Sequence, residues 1–219
     1  MASDLNDGFD AGPISDADPS PGSRVSLIPT EQPAPALAAT LHSWLASPGG
    51  LAITADVRVD RAALDLLAGA SVWATFRTDD GGQLVVAALA RPSSGSDELL
   101  ELTGVAMLAR ELRRETVRAA LRHEVRLLTG DDEHPATTLD LSSGGCRVQV
   151  AEPGAFDVGN VVDVELDLAG AGPVTASGQV VRSDPVALEV AVRFIDLTES
   201  AEAAFDALVY RTITPGAAR

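Results

Sequence analysis

A chain of 219 residues that is 46% apolar but only 4% aromatic can fill one or two small cores, and must fill them with aliphatic side chains. Its net charge of −16, with all sixteen basic residues arginine, excludes the broad basic face of a general DNA or RNA binder. No apolar run approaches the ~20 residues of a membrane-spanning helix, and the single cysteine, Cys146, excludes an intrachain disulfide or a multi-cysteine metal site.

Residues 1–23 carry Asp4, Asp7, Asp10, Asp16 and Asp18 among Gly, Pro and Ser, have nothing to bury, and read as a disordered acidic tail. Such a start is unlike a secretory leader, so the expectation is a cytoplasmic protein with no membrane insertion. Residues 24–109 read as a domain of short strands. Arg24–Pro29 alternates briefly, Pro35–Ala46 reads as a short helix, and Leu51–Val59 alternates over Leu51, Ile53, Ala55, Val57 and Val59. Arg61–Leu67 predicts one or two helical turns ending at Gly69. Ser71–Arg77 and Gln83–Ala90 flank Asp79-Asp80-Gly81-Gly82, a hairpin turn. Ser93–Asp97 reads as a loop and Leu99–Leu108 as a strand.

Arginine then concentrates. Residues 105–126 hold six arginines (Arg110, Arg113, Arg114, Arg118, Arg122, Arg126) against three acids, a local +3 in an otherwise acidic chain. An island of this size suits a small anion better than a polymer. Residues 110–118 read as a hinge and 119–212 as a second domain, with 213–219 as a tail. Arg122–Leu128 predicts a strand, Gly130–Pro135 an acidic loop, and Thr137–Leu141 and Cys146–Val150 two strands around a glycine turn, with Cys146 a small core residue. Val161–Leu168 is the cleanest amphipathic strand, Val162, Val164, Leu166 and Leu168 opposing Asp163, Glu165 and Asp167. After a turn at Ala169–Pro173, Val174–Arg182 and Leu188–Phe194 complete a small closed barrel. Thr198 or Ser200 caps a last helix with Ala204, Phe205, Leu208 and Val209 on one side. The predicted fold class is mainly β, two small barrel-like domains with a C-terminal helix.

Two strings in the second half carry chemistry: Arg113-Arg114-x-x-x-Arg118, and Asp140-Leu-Ser142-Ser-Gly144-Gly145-Cys146-Arg147. Guanidinium forks suit phosphodiester oxygens and the O6/N7 edge of guanine. Asp140 can accept from a guanine's N1–H and amino group, Ser142 offers a small hydroxyl, and Gly145 permits close backbone approach. Each string alone has a plainer explanation. Arg110, Arg114, Arg118, Arg122 and Arg126 recur every four residues, as on a solvated helix face, and the second string alone is a turn before a strand.

In that order and at that separation the pair resembles the cyclic-di-GMP site of PilZ domains. The resemblance implies a PilZ barrel with its C-terminal helix, preceded by a β domain similar to that of bacterial flagellar brake proteins. It implies a non-catalytic cyclic-di-GMP effector that reorients its two domains, with Arg113, Arg114, Arg118, Asp140, Ser142, Gly145 and Arg147 as ligand contacts and no cofactor. Arg113, just before Arg-x-x-x-Arg, implies two ligands per chain. A protein partner in a flagellar motor, secretion or polysaccharide machine is expected; a degenerate PilZ scaffold that binds proteins but no nucleotide is the alternative.

Enzyme readings find little. His42, His123 and His134 lack zinc-site spacing, Gly-x-Ser-x-Gly is absent, and Gly144-Gly145 is too short for a phosphate-binding loop. Asp163, Glu165 and Asp167 alternate on one strand face and read as solvated.

Overall fold

The computed structural model describes residues 19–31, 36–46, 53–78, 81–94, 96, 98–111, 116–130, 132–168 and 172–214. Most of the acidic N-terminal segment, the last five residues, Asp79-Asp80, and Arg113 and Arg114 lie outside that set.

The first half supplies six strands: β1 (Arg24–Pro29), β2 (Leu37–Ala46), β3 (Ile53–Arg58), β4 (Ser71–Arg77), β5 (Gln83–Pro92) and β6 (Leu99–Glu111). They close antiparallel in the order β1-β2-β3-β6-β5-β4. Between β3 and β4 lies α1 (Arg61–Leu67), whose N-cap Asp60 accepts from the Ala63 N–H at 2.7 Å. Ala63, Leu64 and Leu67 of α1 join Leu27, Val57, Phe76, Val86, Leu100 and Leu102 in one buried core.

The expected helix at Pro35–Ala46 is overturned: Leu37–Ala46 is strand β2, paired to β1 on one side and β3 on the other. Alanine and leucine favour a helix locally, but Ala39 and Leu41 are buried while Ala38, Thr40 and His42 are exposed, a period of two. Burial of alternate side chains in a closing barrel overrides local propensity.

The second half supplies β7 (Glu124–Thr129), β8 (Asp132–Ser142), β9 (Gly145–Val150), β10 (Val161–Leu168), β11 (Gly172–Asp184) and β12 (Glu189–Asp196), closed in the order β10-β11-β12-β9-β8-β7. The acidic loop expected at Gly130–Pro135 is shorter than that, because β8 already begins at Asp132 and Thr129 pairs with Asp132. Positive φ at Gly130 makes so tight a turn possible. The chain ends in α2 (Glu199–Ile213), capped by Thr198, whose hydroxyl accepts from the Ala201 N–H at 3.2 Å.

Helix α2 does more than close its own barrel. Phe205 stacks on Phe194 of β12 at a centroid distance of 5.1 Å, and Tyr210 meets Trp73 of β4 edge-on at 6.3 Å. The indole N–H of Trp73 donates to the Thr214 hydroxyl at 3.1 Å. Ile28, Trp73, Val85 and Leu108 of the first barrel thereby join the core of the second. That explains why β4 is buried at five consecutive positions, Val72 to Phe76, where a strand with one wet face would alternate.

Phe205 is fully buried. Phe205→Ala should lower unfolding stability by about 3–5 kcal/mol, read as a reduced urea midpoint with intact far-UV circular dichroism in water.

Candidate functional site

The β8–β9 hairpin forms the floor of the site. Ser142 pairs with Gly145, leaving Ser143 and Gly144 as its two-residue loop. The Ser142 hydroxyl is fully buried and closes this turn from inside, donating to the Gly145 carbonyl at 3.2 Å and accepting from the Gly144 N–H at 3.2 Å. Gly145 has φ +153°, and a Cβ there would lie 2.3 Å from the Val192 carbonyl oxygen. The close approach that Gly145 permits is therefore that of β12. Gly144 is tight on its other side, where a Cβ would lie 2.9 Å from the Thr116 hydroxyl oxygen.

A register shift between Thr138 and Asp140 sets Asp140 opposite Arg147 on β9. The Arg147 Nε–H donates to Asp140 Oδ2 at 2.8 Å, and a terminal nitrogen of Arg147 donates to Glu189 on β12 at 3.1 Å. These two carboxylates, Asp140 foremost, raise the Arg147 pKa and hold the guanidinium in place.

Arg118 reaches the same carboxylate from a distant part of the sequence. Ala119 and Leu141 exchange both backbone hydrogen bonds at 3.0 Å, which lays residues 116–121 along β8. Buried Thr138 extends the seam: its hydroxyl donates to the Leu121 carbonyl and accepts from the His123 N–H. Arg118 then stands 3.7 Å from Asp140 Oδ1, within ion-pair reach but beyond hydrogen-bond distance. Asp140 Oδ1 is buried and has no hydrogen-bond partner among the described residues. An unmet carboxylate oxygen beside two guanidinium groups is poised to accept from a ligand donor.

Of the residues expected in the site, Arg118, Asp140, Ser142, Gly145 and Arg147 are gathered at one end of the second barrel, and Arg113 and Arg114 lie outside the described residues. The helical arginine stripe does not form among the described residues. Arg110 lies next to last in β6, Arg118 precedes the strand-like bridge, and Arg126 lies on β7 between Glu133 and Glu165. Sequence reasoning passed over Thr116, Thr138 and Glu189. Only the last carried a signal, as an acid two positions before Ala191, the strand partner of Arg147.

Cys146, behind the hairpin, is buried, and burial with the nearby Asp140 charge pushes its thiol up to about 12, so it is no nucleophile at neutral pH. Among the described residues no cluster of His, Cys, Asp and Glu could hold a metal ion.

Residues 112–211 match the model of the PilZ domain family. Comparison with curated proteins found no match. Among solved structures the chain is similar to the Bacillus subtilis inhibitor of motility MotI/DgrA, at 16% identity over 88% of this chain and 96% of that one, with a TM-score of 0.41. It is also similar to Escherichia coli YcgR in complex with c-di-GMP, at 14% identity over 86% and 83% of the two chains and a TM-score of 0.37. A third is the Borreliella burgdorferi PlzA protein in complex with c-di-GMP, at 12% identity over 85% and 88%, with a TM-score of 0.36. The match to the PilZ domain family falls on the second half of this chain, the six-strand barrel with its C-terminal helix.

Proposed function

We propose that the protein is a non-catalytic receptor for cyclic-di-GMP, with Asp140, Arg118 and Arg147 as its guanine- and phosphate-reading core. The observation that carries this reading is the buried, unpartnered Oδ1 of Asp140 held between two arginines. A guanine offers two adjacent donors, N1–H and the amino group, to such an oxygen pair, while its O6 and N7 suit a guanidinium fork. Arg118 and Arg147 balance Asp140 and Glu189 in charge. Arg113 and Arg114 then supply two further positive charges, matching the two phosphodiesters of one ligand. In this reading Ser142 and Gly145 shape the turn that receives the ligand, with the Ser142 hydroxyl able to exchange an internal partner for an external one.

Arg113 and Arg114 lie between the barrels in sequence, so a ligand gripping them and the β8–β9 turn together would change how the first barrel sits on α2. A ligand can favour only a state in which it gains contacts, and this grip supplies the difference. The output would pass to a protein partner in motility, secretion or polysaccharide machinery in the bacterial cytoplasm; among the described residues no helix is long and apolar enough to cross a membrane. The internal use of the Ser142 hydroxyl favours a second reading, a scaffold that binds proteins and no nucleotide.

Isothermal titration with cyclic-di-GMP separates the two, since a scaffold gives no heat. Arg118→Ala or Arg114→Ala should weaken binding roughly ten- to a hundred-fold, the worth of one charge-assisted contact. Arg122→Ala should stay within about twofold, because an exposed charge outside the cluster contributes little. Asp140→Ala should abolish binding while circular dichroism stays unchanged, because its ion pairs are partly solvated.

Stoichiometry and shape provide a further check. A second, stacked ligand needs another planar cation against its guanine, the role given to Arg113. Wild type should bind two cyclic-di-GMP per chain and Arg113→Leu one, and small-angle scattering should change on saturation. A one-to-one wild-type titration would refute the Arg113 role, and unchanged scattering the reorientation.

A further inference from the structure

The three alternating acids of β10 meet different fates on the outer face of the second barrel. Asp163 accepts from the Ser177 hydroxyl at 2.5 Å, and Glu165 pairs with Arg126, its cross-strand neighbour on β7. Asp167 has no such partner. The β7–β10 register sets Glu165 opposite Arg126 and Leu166 opposite Val125, so the next step sets Asp167 opposite Glu124. Both residues are exposed, and among the described residues neither carboxylate has a hydrogen-bond or ion-pair partner. Arg122, two positions before Glu124, pairs with neither, and the His123 ring bonds the Asp167 backbone carbonyl at 2.9 Å rather than the carboxylate. Like charges directly opposite on neighbouring strands repel. One rung of this ladder is therefore matched by a guanidinium and the next is a pair of anions.

Both rungs line a groove of about 800 Å³ that crosses β10, β7, β8 and β9. Glu124, Glu133, Glu165 and Asp167 share it with one cation, Arg126, and the rest of its lining, Pro135, Thr137, Gln149, Ala151 and Leu188 included, is uncharged. Arg126 shows what such a face holds, since its guanidinium is seated between Glu133 and Glu165. The groove is larger than a single ion needs and falls in the size range of sites that enclose organic groups, about 300–1,000 Å³. Its uncharged lining suits the aliphatic stems of arginine and lysine, whose heads would then reach the carboxylates. A second copy of this chain carries −16, and nucleic acid and anionic lipid are likewise of the wrong sign.

We propose that the outer face of β7, β8 and β10 is a docking groove for an arginine- or lysine-bearing segment of a partner protein, whose cation sits between Glu124 and Asp167. The proposal supplies the chemistry of a protein partner and stands whether or not the Asp140 cluster takes a nucleotide.

The test uses the full-length chain and, as probe, a blocked peptide of alternating arginine and serine, with a glutamate–serine peptide as its counterpart. The arginine peptide should shift the Thr137, Gln149 and Ala151 amide resonances, with an affinity that falls as salt rises, and the glutamate peptide should shift none. The double variant Glu124→Gln, Asp167→Asn should weaken binding about three- to tenfold, the worth of two exposed ion pairs. Asp157→Asn with Asp196→Asn, which changes the net charge equally outside the groove, should stay within about twofold. Neutralising Glu124 and Asp167 should also raise the Tm by about 1–4 °C, because a repulsion is removed. Equal weakening by the two double variants would reduce the effect to bulk acidity and overturn the proposal. A lowered Tm for Glu124→Gln, Asp167→Asn would make these acids structural and overturn it too. So would calcium chloride that reproduces the peptide's shifts at equal concentration, the mark of an ion site, or wild-type dimers in sedimentation that the same variant dissociates.

Discussion

Helix α2 is buried from more than one side, and the placement of everything else depends on that. Ala201, Phe205 and Val209 lie one turn apart and face its own barrel, while Ala203 and Tyr210, seven residues apart, occupy another side, and all five are buried. A helix that merely lidded one barrel would leave the second group wet. Trp73 of β4 covers Tyr210, with Ile28 and Val85 in the same cluster, so two six-strand barrels share one helix as common core. Two hydrogen-bonded pairs carry polar groups into this interface, Trp73 with Thr214 and Thr75 with Tyr210, as the low dielectric of a core requires.

The site is assembled by backbone pairing and then charged. The Ala119–Leu141 bridge and the buried Thr138 hydroxyl turn a separation of more than twenty residues into a contact between Arg118 and Asp140. A two-residue loop and a register shift place Arg147 beside the same carboxylate. Opposite charges offset one another within the cluster, Arg118 and Arg147 against Asp140 and Glu189.

Much of this was legible in the residues. Period-two alternation marked the strands that face a single core, Val161–Leu168 above all, and Thr198, one of two caps the sequence offered, stood where the last helix starts. The Asp140 and Arg118 motifs were legible because their chemistry is unusual for a turn and a connector. Three things were not. Leu37–Ala46 hid a strand under alanine and leucine, whose local preference yields to barrel closure. The burial of Trp73 against Tyr210 left no mark on a strand whose neighbours Val72, Ala74 and Phe76 are already apolar. Asp206 looked like one more acid in an acidic chain, since the packing that pushes its carboxyl up to about 7 comes only with the third dimension.

The Asp-x-Ser-x-x-Gly string turns out to contain two kinds of letter. Ser142 ties the hairpin turn, and Gly145 admits the β12 backbone where any side chain would collide with it. A barrel of this kind needs both whether or not anything binds. Asp140 and Arg118 have no comparable duty to the fold, since their pairing is partly solvated and contributes little stability. Under mutational drift without selection for a ligand, the serine and glycine would persist while the aspartate and arginines decayed. A motif scored by its serine and glycine therefore counts barrels, and one scored by its aspartate and arginines counts what the barrel itself does not require.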